Sequence, residues 1–272
     1  MLGGTESQLN PEGYVGKAFW IGIIGGIFRI LGAMLAYLIA FFGTSLLYAN
    51  DNRFVNKLRS WKLKRLRLYL SKKYIHGSGL EIGALHKPLR LFNGANVLYV
   101  DRKTVDKLRS DYPELNHHSL VDIDIIDDGE RLNTIEDSSA DFIVASHFLE
   151  HCEDPIMTIE TFIRVLRPDG ILFLAVPDKR LIDKNRSLTN LEHLIVDHRF
   201  GPTISREDHF KEYEECVVHR PVKRGYSIHH HVWTYKEIVE LLSYLECKKE
   251  LGISTKKVAK TRFENIFVVR KK

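Results

Sequence analysis

Two hydrophobic patterns divide the chain. From Ala18 to Ala49 the residues are almost wholly apolar, with Arg29 the one charged interruption. The longest uncharged stretch, Ile30 to Asn50, holds the roughly 20 residues that a helix needs to cross a hydrocarbon core. A cleaved signal peptide fits poorly, because Glu6 and Glu12 precede the apolar run in place of a basic n-region. A retained N-terminal hydrophobic helical segment over residues 1–50 is therefore expected, as one span or as a hairpin broken near Gly25-Gly26 and Arg29. Two crossings would need about 40 residues, more than the run contains. A buried pair of core helices is the soluble alternative.

Beyond Ile75 short apolar runs alternate with helical periodicity, which predicts a doubly wound, mostly parallel α/β sheet of seven strands. Leu80–Ile82 and Val97–Val100 read as the first two strands, followed by a helix from Val105 toward Arg109 and a third strand near Leu120 to Ile123. Phe142–Ala145 and Ile171–Val176 are continuously apolar, as strands buried on both faces should be. Between them Asp154 caps a helix with Pro155 at its first position, and Ile159, Phe162, Ile163 and Leu166 share one face, with Pro168-Asp169-Gly170 ending it. Thr234-x-x-Glu237 is a capping box opening a second amphipathic helix, with Ile238, Leu241, Leu242 and Leu245 on one face. Two last strands are expected near Cys247 to Ser254 and Asn265 to Val269. Residues 178–232 break the rhythm and read as an insertion capping the strand ends of a domain spanning 77–272.

Charge adds a third region. Residues 51–76 contain nine Lys or Arg against one acid, so the net charge of +5 is concentrated there. Beside an apolar anchor, such a helix should lie on anionic headgroups, and the positive-inside rule puts it and everything after it on the cytoplasmic face of a membrane. A solvated basic linker is the plainer alternative, and nucleic acid has only charge to recommend it. The three cysteines are far apart and suggest neither a disulfide framework nor a Cys-x-x-Cys metal site. Seven of the thirteen histidines fall between His193 and His231 without a His-Glu-x-x-His spacing. A metal site from Asp178, Asp183 and these histidines has no recognised ligand spacing behind it, so no metal ligand is assigned.

In an open parallel sheet, ligands bind beyond the carboxyl ends of the strands. Glu81-Ile82-Gly83-Ala84 closes the first strand, where Gly83 permits close backbone approach. Asp101, at the end of the second strand, stands where an acid accepts both hydroxyls of a ribose, or serves as a turn aspartate. Asp127-Asp128-Gly129 offers an acceptor to an adenine amine, or is a simple turn.

Ala145-Ser146-His147-Phe148-Leu149-Glu150-His151, Asp154-Pro155 and Arg164-Val165-Leu166-Arg167-Pro168-Asp169-Gly170 together resemble the small-molecule branch of the class I S-adenosylmethionine (SAM) dependent methyltransferases. The resemblance covers about residues 78–177 well and 232–270 weakly. It implies that Glu81 and Gly83 border the methionine part of SAM and that Asp101 holds its ribose. Asp128 and Gly129 would meet adenine, and Ser146 and His147 would line the reaction centre. Where many members have Gly-x-Gly, this chain has Gly83-Ala84-Leu85. An NAD-type oxidoreductase is disfavoured, because a pyrophosphate needs the N–H groups of a glycine-rich turn, and here one glycine is followed by Pro88.

Methyl transfer to a hydroxyl calls for a general base, and His209 in Arg206-Glu207-Asp208-His209-Phe210 is a candidate beside His147; a surface or capping histidine is the alternative. The expected acceptor is a small molecule, or a glycan or lipid-linked intermediate at the membrane. A SAM-binding scaffold without turnover is the alternative class.

Overall fold

The computed structural model describes residues 53–92 and 94–272, so the apolar segment read as an anchor lies outside the described residues. Among the described residues no helix is long and apolar enough to cross a membrane. By its internal contacts the chain divides after Trp61, and the sheet and the site belong to residues 62–272.

The basic stretch is helical, Arg53–Tyr74 (α1). The strands are Ser78–Ile82 (β1), Asn96–Asp101 (β2), Ile125–Ile126 (β3), Ala140–Ser146 (β4), Leu166–Pro177 (β5), Ile253–Lys260 (β6) and Glu264–Lys271 (β7). They form one seven-stranded sheet in the order β3-β2-β1-β4-β5-β7-β6. β1 to β5 pair in parallel, and β7 runs antiparallel to both neighbours. Val105–Asp111 (α2) follows β2, Pro155–Val165 (α3) joins β4 to β5, and Tyr235–Cys247 (α6) precedes β6. Between β5 and α6 lie Leu191–Phe200 (α4) and Arg206–Tyr213 (α5).

The period of two in the central strands explains how both faces are buried. In β4, Phe142 and Val144 join one core, while Ile143 and Ala145 join the other. β5 continues the division with Phe173 and Ala175 against Leu172, Leu174 and Val176. The first core is closed by α1, whose Leu63, Leu66, Leu70 and Tyr74 recur at helical spacing. Much of the apolar stripe of this basic helix thus faces protein, leaving Lys64, Arg65, Lys72 and Lys73 outward. The second core takes Ile156, Ile159, Phe162 and Ile163 of α3 and Ile238, Leu241, Leu242 and Leu245 of α6. Asp154 accepts from the Met157 N–H at 2.9 Å, and the capping box at Thr234 and Glu237 is closed in both directions.

Three boundaries differ from the sequence reading. The third strand is not Leu120–Ile123: pairing with β2 begins only at Ile125, after Asp124 N–H has donated to the Tyr99 carbonyl at 3.0 Å. Cys247 still belongs to α6, and β6 starts at Ile253, after Gly252 turns the chain at a φ of 56°. Helix α3 stops at Val165, and Leu166 already begins β5, opposite Ala140.

Candidate functional site

The strand order reverses direction between β1 and β4, and there the strand ends splay apart. A cavity of about 320 Å³ opens at this point, in the range of small-molecule sites. Its wall takes Gly83 after β1, Asp101 from β2, Asp128, Gly129 and Glu130 after β3, and His147 and Phe148 after β4. Tyr226 and Ser227 reach it from the excursion between β5 and α6.

The two glycines are there for different reasons. Gly83 has a φ of 63°, which L side chains avoid, and its N–H donates to the Val100 carbonyl at 3.0 Å. Gly129 is fixed by crowding: an added Cβ would come within 2.6 Å of Phe148 Cζ and 2.7 Å of Ile82 Cγ2. Leu85 adopts the left-handed conformation, at a φ of 51°, where the family pattern has its second glycine, and its side chain also faces the cavity. The departure at Gly83-Ala84-Leu85 thus keeps the turn and adds an apolar wall.

Asp101 is largely buried, and burial raises its carboxyl above the usual range, moderated by backbone N–H groups of Lys103 and Arg102. A ribose would offer this carboxylate two further donors. Asp128 lines the cavity while its Oδ1 accepts from the Glu130 N–H at 3.0 Å. Asp127 is occupied with the turn, taking Thr134 N–H and Oγ1 at 2.8 and 2.6 Å. Glu130, absent from the sequence reading, is pushed up to about 7 by burial and by Asp128.

His147 lies at a φ of 54° with Nε2 2.9 Å from Glu264 Oε2. Glu264 also takes Arg67 Nε and Nη2, each at 2.6 Å, in a bidentate pair. Burial raises the Glu264 carboxyl, but the His147 and Arg67 hydrogen bonds outweigh it and hold it below the ordinary range. The Nδ1 of His147 faces Glu150 Oε1 at 3.5 Å, and that buried oxygen has no hydrogen-bond partner. Burial of Glu150 raises its carboxyl to about 7. His151 shares the cavity wall, but burial first, and neighbouring His229 next, push it down to about 3.

Three expected site residues stand elsewhere. Glu81 is not a cavity wall: it is fully buried, and both oxygens accept the Leu89 N–H, at 2.9 and 3.1 Å, which pins the loop carrying Gly83 and Leu85. Burial raises its carboxyl to about 7 despite that hydrogen bond. Ser146, the last residue of β4, also lies outside the wall; its Oγ is buried without a partner. His209 sits on α5 beside His193, His230 and His231, away from the cavity lining, because α5 packs its buried face inward on the excursion itself. Sequence spacing had put all three near strand ends or a cap without telling which way each side chain turns. Tyr226, Ser227 and Glu130 carried no motif that would have singled them out.

The methyltransferase domain family matches residues 58–213, more than half of the chain. The chain belongs to this family. It is a methyltransferase, with S-adenosylmethionine as its methyl donor. No curated protein matches the chain. In fold it is similar to a protein from Pyrococcus horikoshii at 18% identity and TM-score 0.45, over 82% of this chain and 93% of that one. A SAM-dependent methyltransferase from Aquifex aeolicus is similar at 11% identity and TM-score 0.42, over 76% and 88% of the two chains. Another, from Methanosarcina mazei, is similar at 18% identity and TM-score 0.40, over 73% and 95%.

The residues of the cavity fit that donor. A glycine turn of positive φ at Gly83, a crowded turn at Gly129 and a largely buried acid at the end of β2 suit a nucleoside, and no nest of N–H groups is needed because SAM carries no phosphate.

Proposed function

We propose that this methyltransferase holds SAM in the cavity between β1 and β4 and methylates an acceptor hydroxyl presented beside His147. The observation that carries the reading is the presence of His147, backed by Glu264 at 2.9 Å, in the wall that also holds Asp101, Gly83 and Gly129. When bound, SAM supplies an electrophilic methyl on a sulfonium. Asp101 would accept hydrogen bonds from the ribose hydroxyls, Gly83 and Gly129 would let the backbone approach, Asp128 would receive the adenine amine, and Phe148 would keep water from the reaction line. His147 donates through Nε2 to Glu264, which fixes the ring; Nδ1, with Glu150 Oε1 at 3.5 Å beside it, is the nitrogen that would take the hydroxyl proton, the acceptor oxygen gaining the methyl while the S–CH3 electron pair stays with sulfur. Its low basicity makes His151 unsuited to that step.

The acceptor in this reading is a glycan or lipid-linked molecule at a membrane surface, with the catalytic domain on the cytoplasmic face. Support comes from the apolar run of residues 18–49 and from the outward Lys64, Arg65, Lys72 and Lys73 of α1. Incubation of the full chain with methyl-labelled SAM and membrane extract tests both parts. Label is expected in the lipid-extractable fraction, and to fall at least about 100-fold with His147→Ala. Label confined to soluble small molecules would remove the membrane acceptor, and undiminished transfer by His147→Ala would remove the base.

A further inference from the structure

We propose that His193, His209 and His231, together with the carboxylate of Asp197, bind a divalent metal of the zinc class that clasps the excursion between β5 and α6. The site is separate from the cavity, whose wall contains none of the four. One nitrogen from each of the three histidines lies within 4.8 Å of the other two. His193 Nε2 and His209 Nε2 are 3.2 Å apart, and Asp197 Oδ2 is 3.1 Å from the first and 3.8 Å from the second. In a tetrahedron with zinc-to-donor bonds of about 2.0 to 2.1 Å, neighbouring donors stand roughly 3.3 to 3.4 Å apart. The separations among His193, His209 and Asp197 straddle that edge length, and the His231 nitrogen stands within 4.8 Å of the other two imidazoles, so its ring completes the set by a small turn toward them.

Burial supplies an independent argument. Asp197 is 1% exposed, and its Oδ2 receives no aligned hydrogen bond, only the approach of His193 Nε2 and His209 Nε2 at 3.1 and 3.8 Å, which is costly for a carboxylate oxygen unless a cation stands among them. Its other oxygen takes Ser205 Oγ at 2.8 Å, the kind of outer contact that aims a ligating carboxylate. His231 is also 1% exposed; its Nε2 donates to the Glu153 carbonyl at 3.3 Å, leaving a buried, unpartnered Nδ1 with its lone pair. Imidazole donors with one carboxylate select zinc-like ions over magnesium or calcium, which prefer oxygen.

The set is invisible to a search for a compact motif. His193 and Asp197 are four apart on α4 and share a face, but His209 comes from α5 and His231 from the segment before α6. Joining them ties both helices to a segment whose His230 and His231 N–H groups donate to the Glu150 carbonyl at 2.8 and 3.2 Å. That segment follows Tyr226 and Ser227 of the cavity wall. The metal therefore has a positioning role and takes no part in methyl transfer.

The test uses the full chain purified in detergent and does not depend on activity. Its zinc content is measured by elemental analysis; the metal is then stripped with chelator and cobalt(II) alone is added while visible absorption is followed. Stoichiometric zinc and tetrahedral cobalt bands saturating at about one equivalent are expected. Both should vanish in His209→Ala and in the milder His193→Gln, each checked for folding by circular dichroism. Ser205→Ala should weaken cobalt binding about 10-fold, and His229→Ala, at the neighbouring Glu150 and His151 group, should keep the bands. Substoichiometric zinc without cobalt bands would mean a hydrogen-bonded histidine cluster only. Bands that survive His193→Gln in a folded protein, or that are lost in His229→Ala, would equally overturn the site.

Discussion

Replacing Glu264 by Gln keeps the shape of the side chain and removes its charge. Glu264 is 2% exposed and receives two bonds from Arg67 at 2.6 Å and one from His147 at 2.9 Å. An amide offers one acceptor oxygen where the carboxylate offered two, and leaves the Arg67 guanidinium without its counter-charge. Breaking a buried pair from one side costs about 3 to 5 kcal/mol. The Arg67 side chain is 19% exposed, so water recovers part of this, and about 3 kcal/mol is the appropriate figure. For a domain of this size that corresponds to a fall in melting temperature of roughly 6 to 12 °C. Differential scanning fluorimetry of the full chain, with Arg67→Gln and the double variant completing a cycle, measures the coupling. The pH dependence has a definite sign. The Glu264 carboxyl is held below its ordinary 4.5, so its contribution is present above 4.5 and lost as pH falls through the folded-state value. A shift under about 2 °C, or additive single and double variants, would refute the reasoning.

Other sites lead to distinct outcomes. Gly129→Ala drives a methyl to within 2.6 Å of Phe148, so it should cost about 1 to 3 kcal/mol in stability and weaken SAM binding, read by denaturation and calorimetry. Glu81 runs the other way from Glu264: its carboxyl is raised from 4.5 to about 7, so the stability it contributes is complete below 4.5 and lost as pH rises through about 7. Glu81→Gln should therefore flatten the pH 5 to 8 stability profile by about 2 to 3 kcal/mol, leaving the part that Glu130 and Glu150 supply. Leu70→Ala, in the face of α1 that packs on the sheet, should cost about 2 to 5 kcal/mol by urea denaturation.

The parts of the fold that the sequence foretold are those where one force dominates. β4 and β5 are apolar because both faces are covered, and α3 and α6 carry a cap together with a buried stripe. β3 and β6 were misplaced because pairing, not periodicity, defines them: β3 has two residues, and β6 is a lysine-rich edge. Residues at strand ends were legible as positions but not as directions. Asp101, Gly83, Asp128, Gly129 and His147 turn into the cavity, while Glu81 turns back to Leu89. Whether a side chain faces the ligand or its own loop depends on backbone turns such as Leu85, which a string of residue types does not encode. The histidines of the excursion were conspicuous in sequence, and only the ring contacts of His209 with His193 and His231 reveal which of them meet.

Asp101 is the side chain on which the placing of SAM in the cavity most directly depends. Two hydrogen bonds to a carboxylate are worth about 1.5 to 3 kcal/mol each, so Asp101→Ala should weaken SAM by at least about 3 kcal/mol, or roughly 100-fold. Calorimetric titration of the full chain with SAM and with its demethylated product is the deciding measurement. Binding of both by the wild type and a loss of that size in Asp101→Ala are predicted; no binding by the wild type, or undiminished binding by the variant, would contradict the account.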